Sequence, residues 1–181
     1  MADAKKIIKK GFFEVKVPMT ATKIHLYGDS IDDLNGKVIK LDLTRNLRGK
    51  SLELKLKVKK EAEGLVGDPI SLELIGSYVR RMMRTGIDYV EDSFIAESKD
   101  SKVVVKPFMI TRNKVSRAIR NELRNLAKKH LEGYFKTRST KEIFTEITTN
   151  KIQKDLSLKL KKIYPLALCE IRMFKILEEK K

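Results

Sequence analysis

The spacing of apolar and polar positions along the chain predicts strands first and helices later. Phe12–Val17 (FFEVKV) alternates and stops at Pro18, and Lys23–Tyr27 repeats the alternation over a shorter span. The stretch from Gly28-Asp29-Ser30 to Asn35-Gly36 is turn chemistry with room for one helical turn at most. Val38, Ile39, Leu41 and Leu43 predict a third strand, followed by a polar, basic connection, Arg45-Asn46-Leu47-Arg48-Gly49-Lys50. The cleanest alternation comes next, with Leu52, Leu54, Leu56 and Val58 inward and Glu53, Lys55, Lys57 and Lys59 outward. That is the pattern of an antiparallel strand with one wet face. Glu61-Ala62-Glu63-Gly64 then forms a turn.

Helical spacing starts at Asp68-Pro69, which pairs an N-cap residue with a proline suited to the first helical position. The expected helix carries Leu72, Ile75, Val79 and Met82 on one stripe, with Gly76 inside it at a cost of about 1 kcal/mol relative to Ala. Arg80, Arg81 and Arg84 fall in its last turn, where they suit the negative end of the dipole or a phosphate, and Gly86 is the expected stop. Ile87–Glu97 and Lys102–Ile110 predict a hairpin, in which Pro107 requires an edge position or a bulge.

A long helix is expected from Thr111 to Gly133. Val115, Ile119, Leu123, Leu126 and Ala127 share one arc, and Lys114, Arg117, Arg120, Arg124 and Lys128 lie roughly opposite. Tyr134-Phe135-Lys136-Thr137-Arg138 follows as a loop whose aromatics either pack on the core or stack on a base. Ser139-x-x-Glu142 reads as a capping box for a short helix, and Asn150 as the cap of another that ends at Pro165. Leu166–Leu177 is the closing strand. These elements predict an α+β fold, a mostly antiparallel, barrel-like β body with about four helices packed on it. The expected layout is a basic arm over 1–11, a single domain over 12–177 and a charged tail over 178–181.

Charge changes this picture from a fold into a candidate binder. The 181 residues carry 40 Lys and Arg against 24 Asp and Glu, a formal charge of +16. Residues 1–60 hold 15 cations against 7 acids and residues 111–138 hold 9 against 2, while residues 61–110 hold 6 against 9. Two basic blocks around an acidic one describe a polarised surface suited to a polyanion, with nucleic acid as the first candidate. No apolar run approaches the length of a membrane span, and the N-terminus lacks an apolar signal core, so a cytoplasmic location is expected.

Candidate chemistry is sparse. Phosphate-loop, dinucleotide, zincin and nucleophile-elbow motifs are all absent. His25 and His130 are isolated in sequence; Asp29, Asp32 and Asp33 read as an aspartate-rich turn rather than a cation loop. The lone Cys169 reads as a small buried side chain in a strand. The expectation is a non-enzyme with no cofactor and no metal, a small nucleic-acid hydrolase being the weaker rival.

The order of segments also resembles a known family. Phe12-Phe13-Glu14-Val15-Lys16-Val17-Pro18, Gly36-Lys37-Val38-Ile39-Lys40-Leu41, Lys55–Val58 and Tyr78-Val79-Arg80-Arg81 are similar to its successive motifs. So are Val105-Lys106-Pro107 running into Thr111-Arg112, Arg117-Ala118-Ile119-Arg120, Asn150-Lys151-Ile152, Ile163-Tyr164-Pro165-Leu166 and Ile171-Arg172. Together they resemble the archaeal and eukaryotic small-subunit ribosomal protein family S-three-Ae, also called e-S-one, over residues 12–177. Departures are the missing tryptophan near the start, Lys37 for arginine, Lys40 for glutamate and an altered Thr44–Lys50 segment. The chain ends without the extended eukaryotic tail, which points to an archaeal source.

The resemblance implies a structural constituent of the small ribosomal subunit that binds rRNA at the platform, near the mRNA exit side. Neighbouring platform proteins are implied as partners, with mRNA a further candidate and no membrane. A free-standing RNA chaperone or translation-regulating RNA binder is the alternative. The residues expected to meet RNA are Arg112, Lys114, Arg117, Arg120, Arg124 and Lys128 on and before the long helix. Arg80, Arg81 and Arg84, the turn residues Arg45, Arg48 and Lys50, and the arm residues Lys5, Lys6, Lys9 and Lys10 come second.

Overall fold

A computed structural model describes residues 10–20, 22–47, 49–62 and 64–179. Lys5, Lys6, Lys9 and Arg48 therefore lie outside the described residues, as does most of the basic arm. Nine strands and five helices are present among the described residues, and the fold is α+β. The chain separates into two compact units, Met1–Lys40 with Lys55–Pro69, and Leu41–Leu54 with Ile70–Lys181.

In the first unit, β1 (Gly11–Val17) and β2 (Thr22–Gly28) form an antiparallel hairpin with Phe12 opposite Tyr27 and Val15 opposite Ile24. β1 also runs parallel to the start of β5 (Gly64–Leu74), Val15 facing Leu65. Ser30 caps the four-residue α1 (Ile31–Leu34), which drops Leu34 into a small core with Val15, Val58 and Leu65. A Cβ at Gly28 would stand 2.9 Å from a Leu34 methyl, so a larger residue there would push Leu34 out of its place. Asp29, Asp32 and Asp33 each face a lysine: Lys10 at 3.5 Å, Lys60 at 2.6 Å and Lys37 at 2.8 Å.

Strands β3 (Val38–Asp42) and β4 (Leu52–Glu61) pair with each other. The period-two reading of β4 holds at every inward position, with Leu52, Leu54, Leu56 and Val58 all fully buried.

The second unit is built around β8 (Ser101–Thr111) and β9 (Leu166–Glu179), antiparallel over their length, with β6 (Tyr89–Glu91) and β7 (Phe94–Glu97) on the other side of β8. Pro107 sits at a register shift between Lys106 and Pro107, so the bulge is realised and the edge position is not. Phe174 of β9 meets Phe144 edge-on at 4.8 Å and Phe135 at 5.8 Å, which fixes the helices on the sheet.

Several predicted boundaries differ: the strand expected over Ile87–Glu97 is broken into β6 and β7. The helix expected from Asp68-Pro69 is instead strand β5 as far as Leu74, and only Gly76–Met82 is helical (α2). Leu72 pairs with Phe174 and Glu73 with Met173, so strand pairing overrides the helical spacing. Gly76 is thus the first residue of α2 and Arg84 lies past its end. The long helix expected over Thr111–Gly133 is α3 (Arg117–Lys136). It starts six residues later, behind the Ser116 cap, because Thr111 still belongs to β8. It runs past Gly133 because Leu131 and Phe135 extend its buried row, so Tyr134–Lys136 are helix rather than loop. α4 (Thr140–Thr148) opens with the expected reciprocal capping box between Ser139 and Glu142, and α5 (Lys151–Leu160) follows Asn150.

Candidate nucleic-acid interface

The segment that leads into α3 is pinned before the helix begins. The Thr111 amide donates to the Asp88 carbonyl (2.9 Å), and the Asp88 carboxylate accepts from the Val115 amide (2.9 Å). Ser116 then caps the helix through the Ile119 amide. Arg112 and Lys114 stand exposed on this anchored corner. Within α3, Leu123, Ala127, Leu131 and Phe135 form a buried i, i+4 row, while Leu126 stays 37% exposed. The basic row therefore flanks the buried row rather than opposing it, and Arg120 is half-buried as a result.

This flanking position brings three predicted cations together. Arg117, Arg120 and Arg124 line one recess of about 210 Å3 with Tyr89, Val90 and Asn121, and no carboxylate is among its described lining residues. The Arg120 Nε is buried, with no hydrogen-bond partner among the described residues. The guanidinium groups that line the recess are charge-assisted donors of the kind that suits an anion. Lys128 continues the row one turn further, its ammonium 5.9 Å from the Phe94 ring centre. A second recess joins Arg84 and Arg112, 28 residues apart in sequence, over Ile87, Ile110 and Leu168. Arg80 and Arg81 are exposed on α2, with the Arg81 guanidinium 5.4 Å from the Tyr78 ring, and Arg45 is exposed in its turn.

The family model of the Ribosomal S3Ae family matches residues 3–180. This chain belongs to the Ribosomal S3Ae family. Relatives named small ribosomal subunit protein eS1 match it in several archaea. That of Methanothermobacter thermautotrophicus is 30% identical over 141 residues, covering 75% of this chain and 72% of the relative. That of Nanoarchaeum equitans is 29% identical over 117 residues, covering 64% and 56%. That of Methanobrevibacter smithii is 25% identical over 152 residues, covering 81% and 78%.

Some cations singled out in this S3Ae-family chain are used internally. Lys50 is only 8% exposed, and its ammonium donates to the Glu170 carboxylate (2.5 Å) and to the Asn150 side-chain oxygen (2.7 Å). It is a buried ion-pair partner, and its place among the RNA contacts is corrected accordingly. Arg138 is bound to the Glu146 carboxylate and lies over the Tyr134 ring, whose hydroxyl donates to the same Glu146 (2.9 Å). The Tyr134–Arg138 segment is thus packed: Phe135 is fully buried. Lys10 is exposed, 3.5 Å from Asp29.

One basic cluster went unseen in the S3Ae-family sequence. Lys129 and His130 of α3 meet Lys159 of α5 and the following Lys162 in a recess of about 380 Å3 floored by Leu126. Burial, with Lys159 beside it, holds the His130 imidazole below its usual range, against an opposing pull from Asp155. The run Lys159-Leu160-Lys161-Lys162 was its only local signal, and nothing in the sequence places it beside Lys129. The Cys169 thiol is buried in β9 and burial pushes it up to about 12, so it is a poor nucleophile. No helix among the described residues is long and apolar enough to cross a membrane.

Proposed function

We propose that this protein is a non-catalytic structural constituent of the small ribosomal subunit that holds rRNA on the α3 face. Family membership and the name shared by its relatives support the ribosomal role. The observation that carries the RNA contact is the recess that Arg117, Arg120 and Arg124 line together, with no carboxylate among its described lining residues. Guanidinium groups in such a cluster suit the phosphates and riboses of a folded RNA, whose narrow major groove hides its bases. Lys128 extends the contact along α3, Lys114 and the Arg84–Arg112 recess extend it before the helix, and Arg80, Arg81, Arg45 and Lys10 supply outlying charge. The location that the family resemblance implies is the platform near the mRNA exit side, beside other platform proteins and within reach of mRNA.

Two measurements test this reading. In a sucrose gradient of lysate the protein should travel with the small subunit; a free-standing RNA binder would stay near the top. Binding to platform rRNA fragments should weaken with salt, with log K falling against log salt at a slope of about −3.5 to −4.5 if Lys114, Arg117, Arg120, Arg124 and Lys128 each neutralise a phosphate. A flat salt response would remove the mechanism.

A further inference from the structure

The β1–β2 hairpin presents a surface that the α3 interface does not use. Its register places Phe12 opposite Tyr27, Glu14 opposite His25 and Lys16 opposite Lys23, and all six side chains are exposed on one face. Phe12 is 74% and Tyr27 59% exposed, with ring centres 5.2 Å apart and planes tilted by 52°. The opposite face of the hairpin carries Phe13, Val15, Ile24 and Leu26 into the first unit's core. Phe12 and Tyr27 are therefore surplus to burial.

We infer that the Phe12–Tyr27 rung is a stacking platform for an unpaired base of the same rRNA, an inference that rests on the RNA-binding reading above. Flat aromatic rings on an exposed strand face, with cations beside them, are how sheets hold single-stranded RNA: the base stacks on the ring and lysines take the flanking phosphates. The remaining rungs fit that chemistry. Glu14 is in direct contact with Lys23 at 2.6 Å and feels Lys16 as a second nearby cation. The two lysines thus outnumber the one acid on this face, with Lys16 roughly 13 Å along the strand from Phe12. The exposed His25 imidazole lies between the aromatic and the cationic rungs. In sequence, Lys5, Lys6, Lys9 and Lys10 lead directly into Gly11 and Phe12. A protein-docking face would need a broader apolar centre than one aromatic rung in a charged ladder. A rung that only braces the hairpin would contribute cross-strand packing and nothing to RNA.

The chain has no tryptophan, so Phe12→Trp places a single indole on the platform of the full-length protein. Adding an unstructured purine-rich oligoribonucleotide should quench its fluorescence, and a blunt-ended RNA duplex should not. The variant pair Phe12→Leu/Tyr27→Leu keeps apolar bulk and removes the rings. It should bind the single strand about 5- to 150-fold more weakly than the parent, the range for losing one stacked base, with an unchanged salt slope and unchanged duplex binding. An unquenched indole in a protein that still binds RNA with the expected slope overturns this inference alone. Equal losses on single strand and duplex, or wild-type RNA binding with loss of a protein neighbour from reconstituted subunits, overturn it too. Absence of any RNA binding by the parent protein would instead sink the functional reading itself.

Discussion

Lys50 shows how one side chain changes role between sequence and structure. It sits in a basic turn and looks like a phosphate contact, yet its ammonium is buried against Glu170, 120 residues away, and against Asn150. Asn150 adopts a left-handed backbone (φ 59°) and spends its side-chain oxygen on Lys50 rather than on capping α5. No local pattern encodes a partner at that separation. Removing one member of a buried pair strands the other charge, so Lys50→Met should lower the urea-unfolding free energy by about 3–5 kcal/mol. The paired change Lys50→Met/Glu170→Met should restore most of that loss, and neither variant should alter the salt slope of RNA binding. A reduced slope would return Lys50 to the interface. His130 supports a second residue-level prediction. Its folded-state pKa lies below its unfolded value, chiefly through burial, with Lys159 pushing the same way and Asp155 opposing. Lys129, Lys159 and Lys162 share its recess, and the Tyr134 ring centre is 6.0 Å away. The unfolded chain then binds the proton more tightly, so this contribution is intact above about pH 6.5 and is lost as pH falls through the lowered folded value. The melting temperature should drop more between pH 7 and pH 5.5 for the parent than for His130→Gln; parallel curves would refute it.

At the scale of elements, α3 separates holding from binding by side. Leu123→Ala or Leu131→Ala removes part of the buried row and should cost about 2–5 kcal/mol by denaturant titration, with the salt slope of RNA binding untouched. Arg117→Ala, Arg120→Ala and Arg124→Ala should each reduce that slope by about 0.7–0.9 without lowering the unfolding free energy. Crossed results, with stability lost from the arginines or slope lost from the leucines, would contradict the division. The α3 arginines were legible in the sequence because i, i+3 and i+4 spacing fixes which side chains share a helix flank. Their neighbours were not: Tyr89 and Val90 reach the recess through strand pairing, and Arg84 meets Arg112 only once α2 and β8 are folded. The strands were readable wherever one face is wet, as β4 shows at Leu52, Leu54, Leu56 and Val58. β5 failed because Leu72 belongs to two periods at once. Leu72, Ile75 and Val79 fit a helix, while Ile70, Leu72 and Leu74 fit a strand, and the ladder from Ser71–Glu73 to Met173–Lys175 decides between them. Gly133 failed as a stop because the burial of Leu131 and Phe135 outweighs the roughly 1 kcal/mol that glycine costs inside a helix.

For the molecule as a whole, a formal charge of +16 on 181 residues sets two opposed responses to salt. The free protein repels itself, and raising ionic strength screens that repulsion, so its melting temperature should rise from 10 mM to 300 mM monovalent salt. The RNA complex answers in the other direction. Its stability is the free protein's plus RT ln(1 + [RNA]/Kd), about 2.7 kcal/mol at a hundredfold excess over Kd, and Kd worsens steeply with salt. At low salt, platform rRNA fragment should therefore raise the melting temperature by about 5–10 °C, and the gain should vanish as salt climbs until the two curves meet. Neutralising Arg117, Arg120 and Arg124 together should move that meeting point to lower salt and should also raise the free protein's low-salt melting temperature, because self-repulsion at the recess is removed with the binding. That second effect separates an interface from ordinary surface charge. Cations gathered in one recess with no acid among its described lining residues cost the free protein stability and recover it only when an anion fills it, whereas lysines already facing acids, such as Lys37 with Asp33 and Lys60 with Asp32, carry no such penalty. Charge reversal at Lys37 or Lys60 should leave the meeting point within error of the parent's, and a shift as large as that of the arginine triple variant would mean that binding follows net charge rather than the recess.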